Sequence, residues 1–185
     1  MNKRLIILDR DGVINVDSKD FIKSPNEWKP IPGSMKAINI LNTNNFFVAV
    51  ATNQSGIGRK LYTEDDLSLI HKKMFKEAKK HRAFFDKIVF CYHHPDADCE
   101  CRKPKTGMLK EISSCLNTQL TNVPIIGDSL RDIEAAIAVK ARPILVLTGN
   151  GEETLITLNK RGYPIESYNN LLDAVVMLTN ETQIE

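Results

Sequence analysis

Two aspartates with one residue between them stand directly after the first apolar run of the chain. Residues 5–8 are consecutive apolar residues rich in β-branched types, which predicts a strand buried on both faces. Asp9 and Asp11 follow at once, and alternate residues of an extended chain lie on the same side. Because carboxylates at that distance repel each other, a divalent metal such as Mg²⁺ is the natural compensating charge. Taken alone, the pattern is more often a solvated turn.

Other polar residues stand at the ends of later apolar runs. Thr52 follows the run 46–51, Asp128 follows the run 123–126, and Lys103 comes shortly before a helical pattern. Carboxylates, a hydroxyl and a cation gathered at one sheet edge suit phosphoryl transfer, since one carboxylate can attack phosphorus and a second can exchange protons. Lys103 and the Thr52 hydroxyl can neutralise charge on the transferring group. Each residue alone is more often a turn, cap or surface residue, and their shared position favours the functional interpretation.

A second cluster, of thiols and an imidazole, follows the third apolar run. Cys91, His93, Cys99 and Cys101 form a complete tetrahedral ligand set for structural zinc, with His94 as the competing imidazole. The alternative is a group of buried or solvated cysteines without a metal. Four protein ligands leave no open position, so this zinc would stabilise a loop and would not catalyse.

The apolar pattern predicts alternating strands and helices in one domain over residues 1–185. Such alternation is typical of an α/β protein with a Rossmann-like parallel sheet covered by helices on both faces. Thr63 and Asp66 match the spacing of a helix capping box. The predicted strands are 5–8, 46–51, 87–91, 123–126 and 143–147, and the predicted helices are 34–41, 64–80, 106–116, 130–139, 152–160 and 171–178.

Composition narrows the class of protein. With 185 residues, 42% of them hydrophobic, the chain is long enough for one sizeable core. The net charge of only +2 gives no reason to expect a nucleic-acid surface, and no apolar run is long enough to span a membrane. The first residues do not resemble a signal peptide, so we expect a cytoplasmic protein with reduced cysteines. We further expect Cys115 in the core and His71 and His81 on the surface.

Taken together, four segments resemble the haloacid dehalogenase superfamily, in its zinc-containing branch of small-molecule phosphatases. The segments are Asp9-Arg10-Asp11-Gly12-Val13-Ile14-Asn15, Thr52-Asn53-Gln54-Ser55-Gly56-Ile57, the cysteine cluster continued by Arg102-Lys103-Pro104, and Gly127-Asp128. The resemblance implies the haloacid dehalogenase fold with a zinc-stabilised loop. Only 40 residues separate Asp11 from Thr52 (52 − 11 − 1), which leaves no room for a large cap domain.

The resemblance also implies roles for individual residues. Asp9 would be the nucleophile and Asp11 the general acid–base, while Thr52 and Lys103 would orient and stabilise the phosphoryl group. Mg²⁺ would be bound by Asp9, the backbone carbonyl of Asp11 and Asp128. Arg102 would contact a second phosphate of the substrate. The other residues expected to line the substrate pocket are Asp17, Ser18, Lys19, Asp20, Asn53, Gln54, Ser55 and Ser129.

Two activities of this branch share the whole catalytic set. The segments 52–57 and 105–109 favour the heptose bisphosphate phosphatases, which remove the 7-phosphate of D-glycero-D-manno-heptose 1,7-bisphosphate on the way to nucleotide-activated heptose for lipopolysaccharide or related glycans. The short spacing from His93 to Cys99 is closer to the histidinol-phosphate phosphatases, which remain the alternative. A zinc-stabilised binding module without catalysis is the alternative of another class. The expected partner is a small phosphorylated sugar, and the expected state is a monomer.

Overall fold

The computed structural model describes residues 3–181, which are organised around one six-stranded parallel sheet. The strands are β1 (Arg4–Leu8), β2 (Phe46–Asn53), β3 (Lys87–Cys91), β4 (Pro124–Gly127), β5 (Arg142–Val146) and β6 (Glu166–Tyr168). They lie in the order β3-β2-β1-β4-β5-β6, so the chain extends the sheet first on one side of β1 and then on the other. In such sheets ligands bind beyond the carboxyl ends of the strands, where the strand order reverses. Here that point lies between β1 and β4.

Helices cover both faces of the sheet, as the alternating pattern predicted. Ile6 and Leu8 of β1 point into the core shared with α1, α3 and α7, whereas Leu5 and Ile7 point into the core shared with α4 and α5. This alternation follows from the two-residue period of a strand. The helices are α1 (Ser34–Thr43), α2 (Ser55–Gly58), α3 (Glu64–Lys80), α4 (Gly107–Leu116), α5 (Leu130–Ala138), α6 (Gly151–Lys160) and α7 (Leu171–Glu181), with a 3₁₀ turn at Pro95–Ala97.

The segment 9–33 between β1 and α1 forms a compact loop. Val16 donates a backbone hydrogen bond to the carbonyl of Lys29 at 2.9 Å, which closes the segment on itself. Nζ of Lys73 in α3 donates to the carbonyls of Pro25 and Trp28 at 2.6 and 2.8 Å, and Trp28 is fully buried. No cap domain is present among residues 3–181, as expected, and no described helix has the length and apolar content needed to cross a membrane.

Two elements were not predicted from the sequence. β6 has only three residues, Glu166–Tyr168, and no apolar run, because it lies at the edge of the sheet. α2 is a single turn with two glycines, Gly56 and Gly58, which are poor helix formers. The capping box of α3 is confirmed, since the Thr63 and Asp66 side chains each bond the other's backbone N–H.

Candidate active site

Three carboxylates and one ammonium group meet at the carboxyl ends of β1 and β4. Asp9 follows β1, Asp128 follows β4 and Asp132 lies in the first turn of α5, with one oxygen of each within 4.8 Å of the others. Lys103 Nζ lies 3.0 Å from Asp9 Oδ1 and 2.5 Å from Asp132 Oδ1, and it donates to the carbonyl of Ala51 at 2.6 Å. Lys103, Asp128 and Asp132 are all buried. The cation is therefore held in one position by three oxygen atoms.

Two glycines with positive φ allow the backbone to approach Asp128. Gly12 has a φ of 80° and Gly149 a φ of 60°, and a Cβ at either position would collide with the Asp128 carboxylate. The backbone N–H and the side-chain amide of Asn150 donate to Asp128 Oδ2 at 2.8 and 3.0 Å. The loops after β1 and β5 thus enclose this carboxylate and fix its orientation.

The site holds more negative charge than its lysine can balance. Burial raises the pKa of Asp9 to about 8, although the Lys103 ammonium opposes that rise. Burial, with the neighbouring charge of Asp132, raises the pKa of Asp128 to about 6. Burial opposes the charge of Lys103, but Asp132 and Asp9 outweigh it and raise the pKa of that ammonium group. Buried carboxylate oxygens short of positive charge are the donor set that Mg²⁺ prefers, so this group of residues fits a divalent cation.

Asp11 lies beside this cluster in a different environment. Its Oδ1 accepts hydrogen bonds from Arg10 Nη2 and Asn15 Nδ2, both at 2.8 Å, and its Oδ2 accepts from Gln54 Nε2 at 2.9 Å. Burial opposes ionisation, but the Arg10 guanidinium and these donors outweigh it and lower the pKa of Asp11. The free site therefore presents a carboxyl that readily ionises (Asp11) next to one that resists ionisation (Asp9).

A cavity of about 270 Å³ opens above these groups. Asp17 and Ser18 lie in its wall, whereas Lys19 and Asp20 are exposed outside it, so the structure brings only half of the predicted segment 17–20 to the site. A larger cavity of about 720 Å³ lies at the amino-terminal edge of the sheet, away from the carboxylates. The predicted residues that line the smaller cavity are Asp9, Asp11, Asp17, Ser18, Thr52, Asn53, Gln54, Ser55, Arg102, Lys103, Asp128 and Ser129.

Three of the side chains that line the smaller cavity form hydrogen bonds with other groups of the protein. The Asn53 amide donates to the carbonyl of Lys103 and accepts from its N–H, at 3.2 and 3.1 Å, and so ties β2 to the loop that carries the lysine. Gln54 bonds to Asp11 and to the Thr52 hydroxyl. The Ser129 hydroxyl donates to Asp132 at 2.5 Å, as part of the capping box of α5. Through these contacts the three side chains support the reactive groups of the site.

The three cysteines and His93 form a compact tetrahedral group. The Cys101 sulfur lies 3.0 Å from that of Cys91 and 3.5 Å from that of Cys99, and 3.2 Å from His93 Nδ1. Zinc–sulfur bonds of about 2.3 Å place the sulfurs of a tetrahedral site only a little farther apart, at about 3.8 Å. Burial raises the pKa of the Cys91 thiol, a cost that a bound cation removes. The group fits zinc, and the competing His94 turns away to pair with Asp96 at 3.3 Å.

Sequence reasoning missed several residues of this site and misplaced two side chains. His71, expected on the surface, is buried against Arg10, because the face of α3 that carries it packs under the loop after β1. Cys115, expected in the core, is exposed, because it falls on the outer face of α4. The spacing of Asp132 from Asp128 was a usable signal, but no pattern singled out the rest. The missed residues include Arg59, Tyr62, His71, Arg131, Asp132 and Asn150.

The fold and this site together define a haloacid dehalogenase-like phosphatase. Two family models match the chain: one described as polynucleotide kinase 3 phosphatase over residues 4–133, and one described as HAD-hydrolase-like over residues 100–174. A crystal structure of D,D-heptose 1,7-bisphosphate phosphatase from Bordetella bronchiseptica, complexed with magnesium and phosphate, superposes with a TM-score of 0.91. That protein is 43% identical, and the match covers 96% of this chain and 99% of the other.

Curated relatives agree with the structural comparison. D-glycero-beta-D-manno-heptose-1,7-bisphosphate 7-phosphatase from Neisseria meningitidis is 44% identical over 173 residues, which cover 94% of this chain and 91% of the relative. The corresponding alpha-heptose enzyme of Campylobacter jejuni is 33% identical over 153 residues, 83% of this chain and 87% of the relative. The chain belongs to this family of haloacid dehalogenase-like heptose bisphosphate phosphatases, and it is a phosphoric monoester hydrolase.

Proposed function

We propose that this enzyme removes the 7-phosphate from D-glycero-D-manno-heptose 1,7-bisphosphate through an aspartyl-phosphate on Asp9. One observation carries the proposal: Asp9 lies 3.0 Å from the buried cation of Lys103 at the floor of the cavity, with the ionisable Asp11 beside it. A carboxylate next to a fixed cation is suited to attack an anionic phosphoryl group, because the cation offsets the repulsion between them. The family relationship supports the same reaction.

The two aspartates divide the chemistry between them. In the first step an Asp9 oxygen bonds to phosphorus, the bond from phosphorus to the sugar oxygen breaks, and Asp11 gives that oxygen a proton. In the second step Asp11 takes a proton from water, whose oxygen attacks phosphorus and releases Asp9 and inorganic phosphate. The negative charge of the bound phosphoryl group raises the pKa of Asp11, which allows this ionised carboxyl to carry the proton first.

Other residues of the site bind the phosphoryl oxygens. The Lys103 ammonium and the Thr52 hydroxyl both line the cavity beside Asp9 and stabilise charge on the equatorial oxygens.

Asp9, Asp128 and the backbone carbonyl of Asp11 would hold Mg²⁺, and their excess of buried negative charge supports this assignment. When bound, the metal supplies positive charge that keeps Asp9 ionised and neutralises the phosphate.

Zinc is proposed to bind at Cys91, His93, Cys99 and Cys101 and to have a structural role. The last ligand directly precedes Arg102 and Lys103 in the chain, so a rigid zinc loop would fix both cations. Cysteines that bind a metal and form no disulfides are typical of a reducing compartment, so the proposed zinc site favours the cytoplasm.

Three arginines form the proposed subsite for the second phosphate. Arg59, Arg102 and Arg131 line the same cavity, and none of the three forms an ion pair within residues 3–181. Arg102 Nη1 is buried without a hydrogen-bond partner, which is costly unless a ligand supplies an acceptor. A second phosphate is such an acceptor, and histidinol phosphate has none to offer. The subsite therefore favours a bisphosphate, in keeping with a step toward nucleotide-activated heptose for lipopolysaccharide or related glycans.

The test is phosphate release from defined substrates by the purified enzyme with Mg²⁺. We expect the highest kcat/KM on the beta anomer of heptose 1,7-bisphosphate, since the relatives of 44–49% identity carry the beta name, with slower reaction of the alpha anomer and of histidinol phosphate. A preference for histidinol phosphate would contradict the substrate assignment. Binding of substrate without any phosphate release would instead favour the non-catalytic zinc-stabilised module.

The arginine subsite has its own readout. Arg131→Gln should lower kcat/KM on the bisphosphate by roughly 10-fold or more, as expected for a lost charge-assisted bond, and leave that on a monophosphate ester unchanged. Arg161→Gln is the matched control, because Arg161 pairs with Glu134 on the surface at 3.2 Å. Equal losses on both substrates would contradict a role for Arg131 in binding the second phosphate.

A further inference from the structure

A chain of buried polar side chains leads from Asp11 to helix α3 and the loop before it. Gln54 connects Asp11 to the hydroxyl of Tyr62, which donates to Gln54 Oε1 at 2.6 Å. Arg10 connects Asp11 to His71, with Nη1 at 3.4 Å from Nε2 of the imidazole. Arg10 is completely buried, and Gln54, Tyr62 and His71 are each less than 10% exposed. None of the phosphoryl-transfer steps described above uses Tyr62 or His71.

Tyr62 determines which way the Gln54 amide faces. The Gln54 Oε1 atom accepts from the Tyr62 hydroxyl and from Arg10 Nη2, so the Nε2 atom must face Asp11 and Thr52, at 2.9 and 2.8 Å. In the reversed orientation an amide oxygen would face the Asp11 carboxylate, and the Tyr62 donor would lose its acceptor. Two donors on one oxygen make that reversal costly, because the Gln54 side chain is buried and water cannot readily replace the lost hydrogen bonds.

His71 has the corresponding role for Arg10. Burial and then the charge of Arg10 lower the pKa of His71 to about 4, so the ring is neutral and its Nε2 can accept a hydrogen bond from the guanidinium. The ring is held edge-on to Phe90 of β3, with centroids 6.1 Å apart. The guanidinium can then reach Asp11 with Nε and Nη2, at 3.2 and 2.8 Å.

We propose that Tyr62 and His71 are positioning residues that fix the Asp11 carboxyl through Gln54 and Arg10. Proton transfer to the leaving oxygen depends on the placement of the acid, and misplacement of a reacting group by about 1 Å can cost on the order of 100-fold in rate. The two contacts come from different elements, α3 and the loop preceding it, so both must pack correctly before the acid is aligned. This inference rests on the proposed function of Asp11.

The test compares two leaving groups in the magnesium-loaded enzyme. An alkyl phosphate such as heptose bisphosphate needs a proton on its leaving oxygen, whereas p-nitrophenyl phosphate does not, since nitrophenolate is a weak base. We expect Tyr62→Phe to lower kcat/KM on the alkyl ester roughly 10- to 100-fold. On the aryl ester, the same variant should lower kcat/KM less than about threefold. His71→Leu should act in the same direction. Because kcat/KM reports the first irreversible step, the later reaction with water does not enter this ratio.

Two controls separate this inference from the proposed function. Asp11→Asn alone tests the acid: if it slows both esters equally, the proposed role of Asp11 fails. In the Asp11→Asn background, Tyr62→Phe should cost less than about twofold more, because no acid remains to be positioned. Tyr168→Phe removes a hydroxyl that bonds Glu166 at 2.8 Å on the edge strand, and should leave the ratio of the two esters unchanged.

The positioning role would be overturned if Asp11→Asn lost kcat/KM selectively on the alkyl ester while folded Tyr62→Phe and His71→Leu did not. So would an undiminished effect of Tyr62→Phe when Asp11 is already absent. Circular dichroism and thermal melts establish that each variant is folded, and the ratio of the two esters is unaffected by any inactive fraction.

Discussion

The charge balance around Lys103 gives the most quantitative prediction. Lys103→Met keeps the length and volume of the side chain and removes the ammonium that lies 3.0 Å from Asp9 and 2.5 Å from Asp132. Lys103 and Asp132 are buried, and removal of one partner of a buried ion pair costs about 3–5 kcal/mol. In a chain of this size 1 kcal/mol corresponds to roughly 2–4 °C, so the melting temperature should fall by roughly 6–20 °C.

The dependence of this loss on pH distinguishes lost charge from lost packing. Thermal melts with a chelator present should show the full loss near neutral pH and a smaller one at about pH 5, where the unpaired carboxyls accept protons at less cost. Lys105→Met is the matched control, two residues along the same loop. Its ammonium pairs with exposed Asp98 and Glu100 at 2.7 and 3.0 Å, and because solvent screens such exposed pairs they contribute little to stability.

A loss below about 1 kcal/mol in Lys103→Met, no larger than in the control, would show that the buried carboxylates do not depend on the Lys103 charge. A large loss that stays constant from neutral to acidic pH would point to lost packing instead, because deleted packing does not titrate. The activity of the variant should fall by about 100-fold or more, as expected when a charge-stabilising group at a transferring phosphoryl is removed.

Three further predictions concern the metal sites. Cys99→Ser should lower zinc content and stability, while Cys115→Ser, at an exposed position, should change neither. Metal analysis and thermal melts measure both effects, and full zinc content in Cys99→Ser would contradict the proposed ligand set. The folded pKa of Asp9 is about 8 against 3.8 unfolded, so between those values the folded protein holds the extra proton and metal-free stability falls as pH rises. Mg²⁺ should therefore raise the melting temperature more at high pH than at low pH, and an equal rise at both would count against Asp9 as a ligand. Gly12→Ala introduces strain at a φ of 80° and a collision with Asp128, so it should lower the free energy of unfolding by about 1–3 kcal/mol. It should also weaken Mg²⁺ binding in a calorimetric titration, and an unchanged affinity would contradict the close packing of Gly12 on Asp128.

Much of the architecture follows from local patterns in the sequence. Runs of apolar residues end at Asp9, Thr52 and Asp128, and because the strands are parallel those three ends must meet at one edge of the sheet. The structure also brings together the predicted cysteine and histidine group, whose members lie within eleven residues of each other along the chain. Short sequence separation makes such a cluster easy to recognise.

The supporting residues could not be predicted in this way. His71 lies in a charged helix, and only the packing of α3 under the loop after β1 brings it to Arg10. Arg59 directly follows α2, whereas Arg131 lies in α5, far away in the sequence. Only the tertiary structure brings both of them to the cavity that Arg102 lines. A lysine, tyrosine or arginine is common on protein surfaces, so its type and position in the chain carry little information about the site it joins.

The proposed reaction requires Asp9 to form a covalent bond to phosphorus. The most direct test is to quench the enzyme during turnover of the bisphosphate, reduce it with borohydride and identify the modified peptide by mass spectrometry. We expect the aspartyl-phosphate at Asp9 to be reduced to homoserine, and folded Asp9→Asn to show neither adduct nor turnover. Phosphate on a different residue, or continued turnover by Asp9→Asn, would exclude Asp9 as the nucleophile.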